Sequence, residues 1–159
     1  MRESSIVVRP QPMDSATYTA SSRLQASGLR SGITLFERAA TSVPLPRPPQ
    51  PIAIADYGAA TGYNSLLPIG AAIAAIRART RSDHAILVTH TDLPSNDFTA
   101  LFTTITEDQD SYLANDAATF ASAVGRSFYK QILPSESIAL GWSSWATHWL
   151  SRVPAPIAD

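Results

Sequence analysis

The chain has 159 residues, of which 45% are hydrophobic and 16% charged, with a formal net charge of −1 and no cysteine. That length suits a single domain with a sizeable core, and the near-neutral charge argues against nucleic acid or a membrane surface as partner. Without cysteine there are no disulfides and no thiolate chemistry, which fits a cytoplasmic protein.

Residues 1–12 read as a loose lead-in, because Pro10 and Pro12 discourage helix. MRESSIVVRPQP lacks the apolar stretch of a signal peptide, and no apolar run approaches the ~18 residues of a membrane span. From Met13 to about Ala40 the spacing of Leu24, Leu29, Ile33, Leu35 and Phe36 predicts helix, interrupted by Gly28 and Gly32. TSVPLPRPPQP then carries five prolines between Pro44 and Pro51 and reads as a stiff, extended connector. Residues 1–50 are therefore set apart from a second unit, residues 51–159.

PIAIADYG reads as a short buried strand ending at Asp56 or Tyr57. SLLPIGAAIAAIRARTR predicts an alanine-rich helix capped by Ser65, which would put Pro68 in the first turn. Arg77, Arg79 and Arg81 read as its solvated, functionless end. AILVTHTDLP is a second buried strand, completing a strand–helix–strand unit of a parallel α/β sheet. NDFTALFTTITE predicts a helix with an aspartate in its first turn. Residues 118–124 are ambiguous, and SFYKQILP reads as a short helix closed by Pro134. SIALGWSS is a further strand, and a helix carrying Trp145, His148 and Trp149 follows to Pro154. A doubly wound sheet needs more strands than the four countable here. The last would be an open apolar edge, so the sequence reads as the first part of something larger.

The loop after the first strand, DYGAATG, sits where parallel α/β folds bind ligands. Gly58 and Gly62 allow close backbone approach, and Ala59 and Ala60 add little bulk. The spacing D-x-G-x-x-x-G is neither a dinucleotide fingerprint nor a lysine-bearing phosphate loop. It suits S-adenosylmethionine, with Asp56 accepting from an ammonium and Asp92 from ribose hydroxyls. Tight packing of a small-residue turn explains the loop equally well, and Asp92 could equally cap the next turn. His84, His90 and His148 are too far apart for a helical metal site, and no metal is expected.

Five segments in order make the reading more specific: YTASSRLQ, IADYGAATGYNS, TDLPSNDF, SFYKQILP and GWSSWATHWLSRVP. They resemble the SABATH family of S-adenosylmethionine-dependent carboxyl methyltransferases, whose segments look like SYxxNSxxQ, IADLGCSSGPNT, NDLPxNDF, GSFYxxLFP and SSYSLHWLSxVP. Nearly the whole chain takes part, but it corresponds to only about the first half of a family member. The resemblance implies an α/β, Rossmann-like class I methyltransferase fold, incomplete, with three or four mainly parallel strands. It implies cofactor contacts at Tyr18, Ser22, Asp56, Gly58, Asn64, Asp92, Leu93, Ser127 and Phe128. It implies a substrate carboxylate held by Gln25 and Trp149, in a pocket shaped by Trp145 and His148. Ala59, Ala60, Thr91, Ser21, Arg126 and Trp145 depart from the family pattern.

The implied reaction is methyl transfer from S-adenosylmethionine to the carboxylate of a small aromatic or fatty acid, leaving S-adenosylhomocysteine. A carboxylate with a pKa near ~4 is already ionised at neutral pH, so no general base and no catalytic residue beyond positioning groups is expected. The alternatives are a cofactor-binding or interaction module, pairing as a homodimer through its edge strand, and a non-functional truncated gene product.

Overall fold

A computed structural model describes residues 28–114 and 116–146. The first described helix, α1 (Arg30–Ser42), leads through the proline-rich connector to β1 (Ile52–Tyr57). The order continues α2 (Tyr63–Arg77), β2 (Ile86–Asp92), α3 (Phe98–Glu107), β3 (Thr119–Gly125) and β4 (Leu140–Ser143). The part of the expected first helix from Met13 to Ser27 lies outside the described residues. The remainder runs unbroken through Gly32, whose missing side chain leaves room for the Trp142 ring.

The four strands form one parallel sheet in the order β3-β2-β1-β4. The central strands β1 and β2 each open on an apolar run, IAIA and ILV, and end in polar residues at their carboxyl ends. One face carries Ile52, Ile54 and Asp56 beside Ile86, Val88 and His90, with Leu140 and Trp142 on the flanking strand. All eight are buried. Both β1–α2–β2 and β2–α3–β3 step in the same direction, so right-handed crossovers lay α2 and α3 on one face. Phe36 of α1 packs on Trp142 at a ring distance of 5.1 Å, which places α1 on that face too. Leu29, Phe36 and Ala40 join the same hydrophobic core as the strands.

Moving from β3 to β4 reverses direction and carries residues 126–139 across the opposite face. No helix covers that face among the described residues. Ala53, Leu87 and Phe120 form one cross-strand row there, and Phe120 is 54% exposed.

Several local expectations change. Gly62, not Ser65, is the N-cap of α2, with φ of 79°, and Pro68 falls in the second turn with its ring buried. Core burial of that ring compensates for the backbone bond that proline cannot make. Asp97 caps α3 from outside, its carboxylate accepting from the Ala100 N–H at 2.9 Å. The ambiguous residues 118–124 become β3, because pairing to β2 overrides their weak pattern. SFYKQILP forms no helix: a turn closes with the Lys130 N–H donating to the Ser127 carbonyl, and irregular chain follows. Arg77 is not solvated, since its guanidinium bonds Asp116 and the His84 carbonyl in a half-buried setting. Arg79 is exposed and donates to the Ala40 carbonyl near the end of α1, and Arg81 is solvated as expected.

Candidate cofactor site

β1 has β2 and β3 on one side and β4 on the other, so the strand order reverses between β1 and β4. The crevice beyond the carboxyl ends of those two strands is where open α/β sheets bind ligands. Its walls are the loop 58–62, the end of β4 and the segment after β3.

The loop is clamped from β2 and the turn that follows it. The Gly58 and Ala59 N–H groups both donate to the Thr91 carbonyl, at 2.8 and 3.1 Å. The Ala60 N–H donates to Asp92 Oδ2 at 2.7 Å, and Asn96 Nδ2 donates to the Ala60 carbonyl at 2.8 Å. This clamp holds Ala60 at a φ of 48°, a left-handed value unusual for a residue with a side chain. Asp92 Oδ1 also accepts from the Leu93 N–H. Asp92 thus ties the loop down, and each oxygen keeps a second lone pair for a hydroxyl.

The two loop glycines are needed by the fold itself. An added Cβ on Gly58 would collide with Ala146 Cβ and lie 3.9 Å from the Phe128 ring. One on Gly62 would lie 2.7 Å from Leu101 and 3.2 Å from Ile105, so Gly62 lets α3 close on the start of α2.

Asn64 lies in the first turn of α2, just past the loop. Its Oδ1 and Nδ2 are both buried without a hydrogen-bond partner among the described residues, and so are Thr61 Oγ1 nearby and Ser144 Oγ just past β4. An unpaired buried amide costs folding free energy, so it marks a place built for something else. A donor and an acceptor side by side fit the ammonium and carboxylate of an amino-acid moiety.

Asp56 is 1% exposed, and its Oδ2 is already bonded to His90 Nδ1 at 2.8 Å. Among the described residues nothing hydrogen-bonds Oδ1. His90 Nε2 in turn lies 2.7 Å from the Tyr112 hydroxyl. Burial, helped by the charge of Asp56, pushes the Tyr112 pKa above its ordinary value and keeps the phenol protonated.

The structure brings Asp56, Gly58, Asn64, Asp92 and Phe128 to the carboxyl end of the sheet. Leu93 and Ser127 follow the ends of β2 and β3, Leu93 being 46% exposed. Trp145 does not ride on a helix: it is a bend residue with φ of 60° and is 45% exposed. The chain bends on leaving β4, so the expected helix does not include Trp145. Tyr18, Ser22, Gln25, His148 and Trp149 lie outside the described residues. Sequence reasoning gave no role to Thr91, Asn96, His90 and Tyr112: Thr91 and His90 reach the loop and Asp56 through the β1–β2 register, while Asn96 and Tyr112 reach in from the turns after β2 and α3. A cavity of about 440 Å³ opens beside Tyr57 and Phe128, lined further by Ile132, Leu133 and Ile138.

Residues 9–159 match the family described as SAM dependent carboxyl methyltransferase. The chain belongs to that family. Methyltransferase FUS9 of Gibberella moniliformis is 35% identical over 144 residues, covering 89% of this chain and 39% of its own length. Gibberellic acid methyltransferase 2 of Arabidopsis thaliana is 29% identical over 152 residues, covering 92% of this chain and 39% of its own length. A solved structure of loganic acid methyltransferase with SAH aligns with a TM-score of 0.71 and 27% identity. That alignment covers 91% of this chain and 41% of the solved one, so the chain spans about two fifths of the length of its relatives. The parallel sheet and its flanking helices are accordingly part of a Rossmann-like fold.

Proposed function

We propose that this family member is the cofactor-binding portion of an enzyme that methylates the carboxylate of a small hydrophobic acid. The observation that carries the reading is Asn64, whose two amide atoms are buried and unpaired beside the strand-order reversal. Asn64 would hold the amino-acid end of S-adenosylmethionine, Asp92 its ribose hydroxyls, and Phe128 with Ser127 its adenine. Asp56 Oδ1 would accept from the ammonium. Bound S-adenosylmethionine supplies an electrophilic methyl on a sulfonium. Tyr18, Ser22, Gln25, Trp145, His148 and Trp149 complete the site by resemblance, Gln25 and Trp149 orienting the substrate anion. A neutral amide and an indole N–H hold a carboxylate without a tight charged pair, so its oxygen remains nucleophilic. Orientation is the protein's main contribution, because the substrate is already ionised.

Relatives named for gibberellic and loganic acids support an organic-acid substrate. We assign the protein to the cytoplasm from its lack of cysteine, and β4, at the edge of the sheet among the described residues, is the surface through which a second copy would pair. Among the described residues no helix is long and apolar enough to cross a membrane. The test is titration with S-adenosylhomocysteine by calorimetry, followed by methyl transfer to a panel of aromatic and fatty acids. Saturable binding supports the reading; a folded chain that does not bind overturns it.

A further inference from the structure

His90 is a polar ring with no exposed surface, standing in a central strand among isoleucines and valines. A buried imidazole there costs free energy unless both nitrogens are paired. Both are: Nδ1 to Asp56 Oδ2 at 2.8 Å and Nε2 to the Tyr112 hydroxyl at 2.7 Å. An ionised carboxylate can only accept, so Nδ1 carries the hydrogen, and a neutral ring then leaves Nε2 to accept from the Tyr112 O–H. The ring's other register neighbour, Ala123 of β3, carries no charge, so Asp56 from β1 and Tyr112 from the segment after α3 are the titratable groups against it. The chain of donors runs in one direction, from Tyr112 through His90 to Asp56.

We propose that His90 is a positioning residue for the cofactor site: it fixes the Asp56 carboxylate by its Oδ2, leaving Oδ1 for the ligand ammonium, while Tyr112 selects the ring tautomer. This rests on the reading of Asp56 as a cofactor acceptor. Asp56 cannot turn its bound oxygen toward a ligand without leaving the His90 N–H unpaired inside the protein. Fixing the carboxylate before binding lowers the ordering cost when the ligand arrives. The network spans β1, β2 and the segment after α3, so the position of Asp56 is set by the fold and not by its own rotamer alone.

Two measurements on the full chain decide the matter. Nitrogen-15 NMR of the His90 ring should show hydrogen on Nδ1 and a bare Nε2, the opposite of the usual preference of a free histidine side chain. Hydrogen on Nε2 would overturn the proposal. In calorimetry with S-adenosylhomocysteine, His90→Leu should bind roughly tenfold more weakly and Tyr112→Phe about threefold more weakly. If both bind like the parent while Asp56→Ala loses affinity, His90 is structural only and the Asp56 assignment survives. If Asp56→Ala itself binds like the parent, the Asp56 assignment falls and this inference with it. Should His90→Leu not fold, Tyr112→Phe, which removes a single oxygen, decides between these outcomes.

Discussion

Asp92 Oδ2 accepts a hydrogen bond from the backbone N–H of Ala60 at 2.7 Å, tying the end of β2 to the loop after β1 across 32 residues of sequence. The same carboxylate accepts from the Leu93 N–H, so it is already a structural clamp before any ligand is considered. Asp92→Ala should therefore lose stability as well as affinity, by about 1–3 kcal/mol in thermal or chemical denaturation. Asp92→Asn keeps one acceptor and should recover part of the stability but little S-adenosylhomocysteine binding. An alanine variant as stable as the parent would show that the clamp is not formed.

Asn64 should behave in the opposite way. Its amide is buried and unpaired, so Asn64→Ala removes a desolvation penalty along with the side chain. The melting temperature should hold or rise, while calorimetric affinity for S-adenosylhomocysteine falls at least roughly tenfold. A loss of stability with unchanged affinity would contradict the assignment of Asn64 to the cofactor.

Gly62→Ala tests the packing of the loop. The new Cβ would take a backbone angle of 79° and meet Leu101 at 2.7 Å. The left-handed angle and the crowding together should cost about 2 kcal/mol in chemical denaturation.

The tryptophans of GWSSW should separate cleanly. Trp142 is 8% exposed and packs on Phe36, so Trp142→Ala should destabilise by about 3–5 kcal/mol. Trp145 is 45% exposed, and Trp145→Ala should stay within about 0.5 kcal/mol in the same assay.

Asp116 provides an acid-dependent component of stability. Burial opposes its ionisation, but hydrogen bonds from Arg77, Thr119 and the Ala118 N–H outweigh that and hold its pKa below the ordinary carboxylate value. A depressed folded-state pKa gives stability that is present above the unfolded value of about 4 and lost as pH falls through the folded one. Asp116→Asn should flatten that part of the acid limb when denaturation is followed from pH 7 downward. An unchanged slope would show that the pair with Arg77 contributes nothing.

The strands β1 and β2 and the helix α2 between them are legible in the sequence, because each strand opens on a short apolar run bounded by turn residues and a longer alanine-rich helical stretch separates them. The loop DYGAATG is legible as well, since only small residues can turn so tightly beside other backbone. TFASAVG is not, because small and polar residues at a sheet edge carry no period of their own and wait on the pairing with β2. Trp145 misleads for a related reason: i, i+4 spacing means a shared helical face only if the backbone is helical there, and it bends instead.

By itself the sequence determines the α/β class, the small-residue loop after β1 and the family, because each rests on neighbouring residues or on ordered motifs. Only the tertiary structure decides that Gly58 and Gly62 make room for protein atoms, that Asp92 clamps Ala60, and that Asp56 is held by His90. Strand register sets that last contact. It brings residues 34 positions apart within 2.8 Å, a proximity created by the sheet and by nothing local in the chain.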